Sequence, residues 1–315
     1  MTRLTKHGQS RSVAVDIRRI SYCVLSSTIA EDGIRSAAME IEQLAEHLGA
    51  RVHGLTLDDS LTDSQFADLH RAFLDHLVLV VPEQHLRPHQ QLKLARQFGE
   101  PEPPHPLFPA HPDEPQVTVI ENDADSPPEN DTWHSDVTWR RTPPLGSILQ
   151  AQVMPATGGN TRWTSMYAIY DALTDEDKTR FESMRGVHSI ETFAGSLNDS
   201  EDGGRVREAL SKHPPVEHPM IRTHPETGRR GLFVNEGFTT HIADIDTGES
   251  ERILSRLWKM VDDRQFRVEV EWSPGTVVIW DNRCTQHFAA ADYYPEHRRM
   301  HRVTIIGDEP RMVAH

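Results

Sequence analysis

The sequence predicts a mainly β fold with flanking helices (α+β), arranged as a jelly roll. Three observations lead there: short strand signals recur from Leu77 to Ile306, amphipathic helical stretches fall between them and would pack outside, and no linker interrupts the middle of the chain. With 315 residues and 37% hydrophobic content the chain can bury a sizeable core as one domain, expected over residues 37–315. Residues 1 to about 36 are basic and polar without sustained periodicity, and read as an N-terminal extension expected to be partly disordered or to lie on the surface.

From Met39 a short alternating stretch leads to Gly49-Ala50-Arg51-Val52-His53-Gly54. A helix is expected over Thr62–His76, where Thr62 and Gln65 form a capping-box pattern and Phe66, Leu69 and Phe73 share a face. Leu77–Val81 reads as a buried strand, and a second helix starts near Pro88, turns Leu92, Ala95 and Phe98 inward and ends at Gly99. Further helices are expected over Ser165–Ala172, Thr174–Met184 and Ser250–Val261. Strands are expected over Val117–Ile120, Gly146–Ala151, His218–Arg222, Gly231–Val234, Phe266–Trp272, Thr276–Trp280 and Arg302–Ile306. The Pro-, Asp- and His-rich segment from Pro101 to Asn130 reads either as a mobile cover over a site or as a plain surface loop.

The formal net charge of −15 leaves no broad basic surface for phosphates, so nucleic acid and anionic membrane are not expected partners and a small molecule is. Cys23 and Cys284 have neither the number nor the spacing of a disulfide framework or thiolate metal site, which suits a reducing cytoplasm. The apolar stretch around Tyr22–Leu25 is too short for a membrane span or signal-peptide core, so a soluble protein is expected.

The chemistry-bearing pattern is His134-Ser135-Asp136. In extended chain residues i and i+2 point to the same side, so one imidazole and one carboxylate can meet a single metal. A third ligand is available from Asp281-Asn282-Arg283-Cys284-Thr285-Gln286-His287, which follows a strand opened by Pro274-Gly275. Two histidines and a carboxylate on one face leave three metal positions open, the arrangement of non-haem iron(II) oxygenases. His-x-Asp alone is weak evidence in a chain with 19 histidines. Eleven residues after His287 stands Arg298, and in extended chain Arg298, Met300 and Arg302 share a face. One guanidinium fork suits the distal carboxylate of a co-substrate and another an anionic substrate, although a charge run of this kind also reads as a solvated basic patch.

Taken together, these residues resemble the taurine dioxygenase family of Fe(II)/2-oxoglutarate-dependent dioxygenases from about Met39 onward. The segments carrying the resemblance are Asn130 to Thr138, Gly158-Gly159-Asn160-Thr161, His218-Pro219, Gly231 to Thr240, Trp280 to His287 and Asp292 to Gly307. The resemblance implies a double-stranded β-helix of the clavaminate-synthase-like kind, with Fe(II) held by His134, Asp136 and His287 as metal and catalytic residues. It also implies 2-oxoglutarate held by Thr161 and Arg298, with O2 as the other co-substrate. Thr161 is otherwise an ordinary strand threonine; only the resemblance singles out its hydroxyl. The substrate pocket it implies places a sulfonate on His105 and Arg302, an amine near Asn130, Phe238 as an aromatic wall and Phe108 at a further substrate-binding position, though His105 also reads as a loop histidine and Phe238 as core.

The implied reaction hydroxylates taurine or a related sulfonate at the carbon beside sulfur. Sulfite and an aldehyde are released, with succinate and carbon dioxide as co-products. Two departures matter: Phe108 stands where the taurine enzyme has a tyrosine, and Ala194 aligns with a pocket phenylalanine, although neighbouring Phe193 could fill that space. A lost hydroxyl weakens the fit to an ammonium group and leaves the same chemistry on an alkyl sulfate or another small anion as the alternative. A zinc hydrolase and a non-catalytic jelly-roll binding protein are the competing classes. The protein is expected to be cytoplasmic and a homo-oligomer, dimer or tetramer, taking part in sulfur metabolism.

Overall fold

The computed structural model describes residues 39–105, 108–128, 132–191, 208 and 211–313. The expected N-terminal extension, Asn130, Phe193 and Ala194 lie outside these described residues.

Two sheets make the core. The larger has seven strands in the order β1-β2-β3-β13-β5-β15-β4. These are β1 (Glu40–Gln43), β2 (Ala50–His53), β3 (Val78–Val81), β13 (Val277–Asp281), β5 (Gly146–Val153), β15 (Arg298–Ile305) and β4 (Thr118–Asn122). The smaller sheet has the order β12-β6-β14, from Arg267–Val270, Thr161–Ser165 and Thr285–Ala289. All pairs in both are antiparallel except β2 with β3.

The alternation of side chains along the strands explains why the large sheet is buried on both faces. Along β13, Val277 and Ile279 join one apolar cluster while Val278 and Trp280 join another. The first cluster is completed by Leu69, Ala72 and Phe73 of α1 (Asp63–His76) and by Leu92, Leu94 and Ala95 of α2 (Pro88–Phe98). The second is completed by Trp163 of β6 and by Val268 and Val270 of β12, so it is the filling between the two sheets. A third cluster packs α3 (Met166–Asp171), α4 (Asp175–Phe181) and α5 (Thr247–Val261) around Met220, Ile221 and Leu232. Helices outside and strands within give the expected jelly roll.

The expected helix at Thr62 forms with the capping box complete: Thr62 Oγ1 accepts from Gln65 N at 3.3 Å and Gln65 Oε1 accepts from Thr62 N at 3.0 Å. Such a cap contributes about 0.5–2 kcal/mol. Gly99 does end α2, but with an extended backbone; its Cβ position lies 3.0 Å from Ile305 Cγ2, so close approach to β15 is what suits glycine there. The strand expected at His218–Arg222 is two, β8 (Val216–Pro219) and β9 (Ile221–Thr223), in separate sheets. The last strand begins at Arg298 rather than Arg302, which puts both arginines in the ladder. Strands over Thr161–Ser165, Arg185–His188, Thr239–Ile242 and Thr285–Ala289 add to those expected; the first and last are short and partly polar, and pairing rather than apolar run makes them strands.

Candidate active site

The three expected metal ligands meet where the His134–Asp136 segment bridges to β14. Their donor atoms lie within 4.8 Å of one another, a spacing that one metal ion spans. Asp136 Oδ1 is 3.8 Å from His134 Nε2 and 3.9 Å from His287 Nε2. Paired bridging bonds bring them together: His134 N donates to His287 O at 3.0 Å and His287 N to His134 O at 2.8 Å. Ser135 Oγ adds a bond to Thr285 O at 2.8 Å, and Asn282 grips Asp136 at both ends of its backbone. Asn282 Oδ1 accepts from Asp136 N at 2.7 Å and its Nδ2 donates to Asp136 O at 3.0 Å.

The segment is not the extended chain expected from the sequence: His134 is a single bridge residue and Asp136 opens a turn. Val137 follows at φ 55°, an uncommon conformation for a β-branched residue, and turns the chain so that Val137 lines the cavity beside its predecessor.

The donor set suits a divalent metal. His134 Nδ1 lies 2.7 Å from Thr132 O, so that nitrogen carries the proton and Nε2 keeps a lone pair. Burial pushes both imidazoles below their ordinary value, His287 to about 3, which keeps them in the neutral, metal-binding form. Burial pushes Asp136 upward, but Arg302 and the histidines outweigh it and hold the carboxyl at about 2. The carboxylate is therefore charged at neutral pH.

A cavity of about 460 Å³ opens from this triad. Thr161, Arg298, His105, Phe108, Phe238 and Arg302 all line it, so the structure gathers every described residue expected at the site. The buried Arg298 guanidinium stands 5.6 Å from the Tyr293 ring and hydrogen-bonds to that side chain, while among the described residues its Nε has no partner. A buried cation with one N–H left unsatisfied calls for an acceptor, and an anion such as a co-substrate carboxylate fits. Gly159 makes room for it, since a Cβ there would lie 3.3 Å from Arg298 Cδ, and Gly158 at φ 79° completes the turn against Asp292.

Arg302 Nη1 donates to Asp136 Oδ1 at 3.3 Å and its guanidinium lies 5.8 Å from the Phe108 ring. His105 Nδ1 accepts from Phe108 N at 3.3 Å, which leaves the ring's proton on Nε2. Burial first, and Arg302 after it, push His105 down to about 3, so it is a neutral donor. Phe238 closes the wall with Val137, Trp139 and Ile190, and its ring meets His134 edge-on at 6.0 Å.

A second group, His224, Asp281 and Cys284, also has metal-ligand spacing. It is already satisfied as an ion-pair network. Asp281 takes three bonds from Arg283, from its backbone N–H at 3.0 Å and its guanidinium at 2.8 and 2.6 Å, and one from His224 Nε2 at 3.0 Å, while His224 Nδ1 accepts from Thr227 N. Burial raises the Cys284 thiol well above its ordinary value, so no thiolate is available.

Sequence reasoning passed over Asn282, Tyr293 and Trp272. Asn282 and Tyr293 lie inside the segments that were read for His287 and Arg298, next to more conspicuous residues. Trp272, whose indole N–H donates to Thr161 Oγ1 at 2.9 Å, carries no local signal at all.

The family model described as "Taurine catabolism dioxygenase TauD, TfdA family" matches residues 40–304. An alkylsulfatase from Acinetobacter baylyi is 32% identical over 275 residues, covering 86% of each chain. An (S)-phenoxypropionate/alpha-ketoglutarate-dioxygenase from Sphingobium herbicidovorans is 34% identical over 282 residues, 87% of this chain and 96% of that one. Among solved structures, a taurine dioxygenase from Burkholderia xenovorans matches with a TM-score of 0.75 at 32% identity, over 86% of this chain and 90% of that one. AAD-2 in complex with Mn(II) and N-oxalylglycine gives a TM-score of 0.75 at 30% identity, over 87% and 100%. By fold, family match and relatives alike, the chain belongs to the TauD/TfdA family and is an alpha-ketoglutarate-dependent (2-oxoglutarate-dependent) dioxygenase.

Proposed function

We propose that the protein uses iron(II) held by His134, Asp136 and His287 to hydroxylate taurine or a related sulfonate at the carbon beside sulfur. The observation that supports this reading is that two buried arginines line the cavity of the triad: Arg298, which shares it with Thr161, and Arg302, which shares it with His105 and reaches Asp136. Bound iron, 2-oxoglutarate and oxygen would supply the oxidising chemistry. The chain's own work is positioning and exclusion of water. Arg298 and Thr161 hold the distal carboxylate of 2-oxoglutarate, and Arg302 with the neutral His105 donor holds the sulfonate. Phe108 and Phe238 shield the carbon that reacts. Hydroxylation there gives an adduct that breaks its carbon–sulfur bond to an aldehyde and sulfite, while 2-oxoglutarate leaves as succinate and carbon dioxide.

A second reading keeps this chemistry and changes the anion. Val137, Trp139, Ile190 and Phe238 make an apolar wall, and Phe108 offers no hydroxyl. Such a wall suits an alkyl chain better than an ammonium group, and an alkyl sulfate hydroxylated beside its ester oxygen would release sulfate and an aldehyde. A partner of either kind is a small anion.

The test is product release from protein loaded anaerobically with iron and then given 2-oxoglutarate, oxygen and one candidate anion. Sulfite from taurine in step with succinate establishes the sulfonate reading. Sulfate from a hexyl sulfate in step with succinate, without sulfite from taurine, moves the substrate to the second reading. Iron-loaded protein that forms no succinate with either anion overturns both.

A further inference from the structure

We infer that Trp272 is a positioning residue for the co-substrate: its indole N–H, bonded to Thr161 Oγ1 at 2.9 Å, fixes the threonine hydroxyl with its proton left for a carboxylate in the cavity. This rests on the reading of Thr161 and Arg298 as the residues that hold 2-oxoglutarate.

The argument is one of donors and acceptors. An indole N–H can only donate, whereas a hydroxyl has one donor and two acceptor positions. At this contact Thr161 Oγ1 must therefore accept. Among the described residues no protein group accepts the hydroxyl's own proton, although Thr161 is 2% exposed and lines the cavity. A buried donor without an acceptor is costly unless a ligand supplies one. The other donor offered to that ligand, Arg298 Nε, is likewise buried and unpartnered. A carboxylate between them would receive one charged donor and one hydroxyl proton, both set before it arrives.

The fold holds Trp272 in place for this. Thr161 opens β6 and pairs with Val270, the last residue of β12, so the chain leaving β12 carries Trp272 past the threonine. The Trp272 ring packs at 6.4 Å from Trp163, two residues along β6. Without the indole N–H, the hydroxyl is free to turn its proton away. Ordering it would then be charged to binding.

The experiment measures affinity without turnover. Protein loaded with Mn(II) is titrated calorimetrically with N-oxalylglycine, comparing wild type, Trp272→Phe, Thr161→Val and the double variant, with Mn(II) affinity and melting temperature measured alongside. We expect Thr161→Val to weaken binding about tenfold and Trp272→Phe about three- to tenfold, as loss of one hydrogen bond to a charged group implies. The double variant should match Thr161→Val alone, because Trp272 acts through that hydroxyl. Mn(II) affinity should stay unchanged. Should Trp272→Phe fail to fold, benzothienylalanine at position 272 keeps the shape and lacks only the N–H. Wild-type affinity in the position-272 variant with weakened Thr161→Val overturns the role of Trp272 and leaves the co-substrate site standing. Additive losses overturn it as well. Wild-type affinity in Thr161→Val removes Thr161 from the co-substrate site altogether.

Discussion

Arg302 is the residue on which the proposed substrate side turns. It is buried, its Nη1 reaches the carboxylate oxygen that both histidines face, and among the described residues its Nε has no partner. An anion arriving beside the metal centre would satisfy the free edge of that fork. Arg302→Ala is therefore expected to raise the apparent KM for the anionic substrate at least about tenfold, the loss implied by one charge-assisted bond. Substrate-free consumption of 2-oxoglutarate should continue. Arg302→Lys should recover little, since an ammonium cannot present two parallel donors. Steady-state rates with and without substrate decide it: an equal fall in both activities would move Arg302 to the co-substrate or metal side.

At the scale of elements, the site depends on how the His134–Asp136 turn is fastened to the segment running from β13 to β14. Asn282 makes both backbone bonds to Asp136 and one to Pro144 O at 3.3 Å, and it is buried. Asn282→Ala should leave the fold in place and lower metal affinity about 10- to 100-fold, the range seen when outer partners of ligands are removed. Competition against a coloured chelator measures this directly, and unchanged affinity would mean that the bridge between His134 and His287 suffices. Why these elements were only partly legible follows from the same bonds. The apolar runs of β3 and β13 and the caps of α1 and α2 are local signals, and the sequence carries them plainly. His134, Asp136, His287 and Arg298 could be placed because spacing within a segment is also local. Trp272 on Thr161 and Asn282 on Asp136 join residues 111 and 146 positions apart, a pairing that no window of sequence contains. Arg298 shows the intermediate case: its position in the sequence is plain, but that it is buried, with its Nε lacking a partner among the described residues, depends on the register of β15.

Across the whole molecule, buried neutral histidines tie stability to pH. Burial pushes His105 down to about 3, His301 to about 4, and His188 and His218 below the ordinary value, each with desolvation as the leading cause. In the unfolded chain each binds its proton near 6.5. Between that value and its folded value, the unfolded state holds the extra proton, so acidification favours unfolding across this window and the effect levels off below it. Carboxylates contribute little there. Asp281, held below its ordinary value by Arg283 and His224 against its burial, keeps its stabilising charge until the pH falls further, and Glu102, raised by burial, acts in the opposite sense near the carboxylate range. The stability of chelator-treated protein should therefore fall as the pH drops below 6.5, by up to about 1.4 kcal/mol per pH unit for a histidine whose ring stays fully shielded from protons in the fold. Urea midpoints at pH 7.5, 5.5 and 4.5 measure it. His301 offers the cleanest control, since among the described residues neither ring nitrogen has a hydrogen-bond partner; its ring meets that of His111 edge-on at 5.1 Å. His301→Gln should flatten the slope by about one proton's worth. A midpoint that does not move from pH 7.5 to 4.5 would mean that these rings take up protons inside the folded protein, and that the β15 face opposite the cavity is open to water.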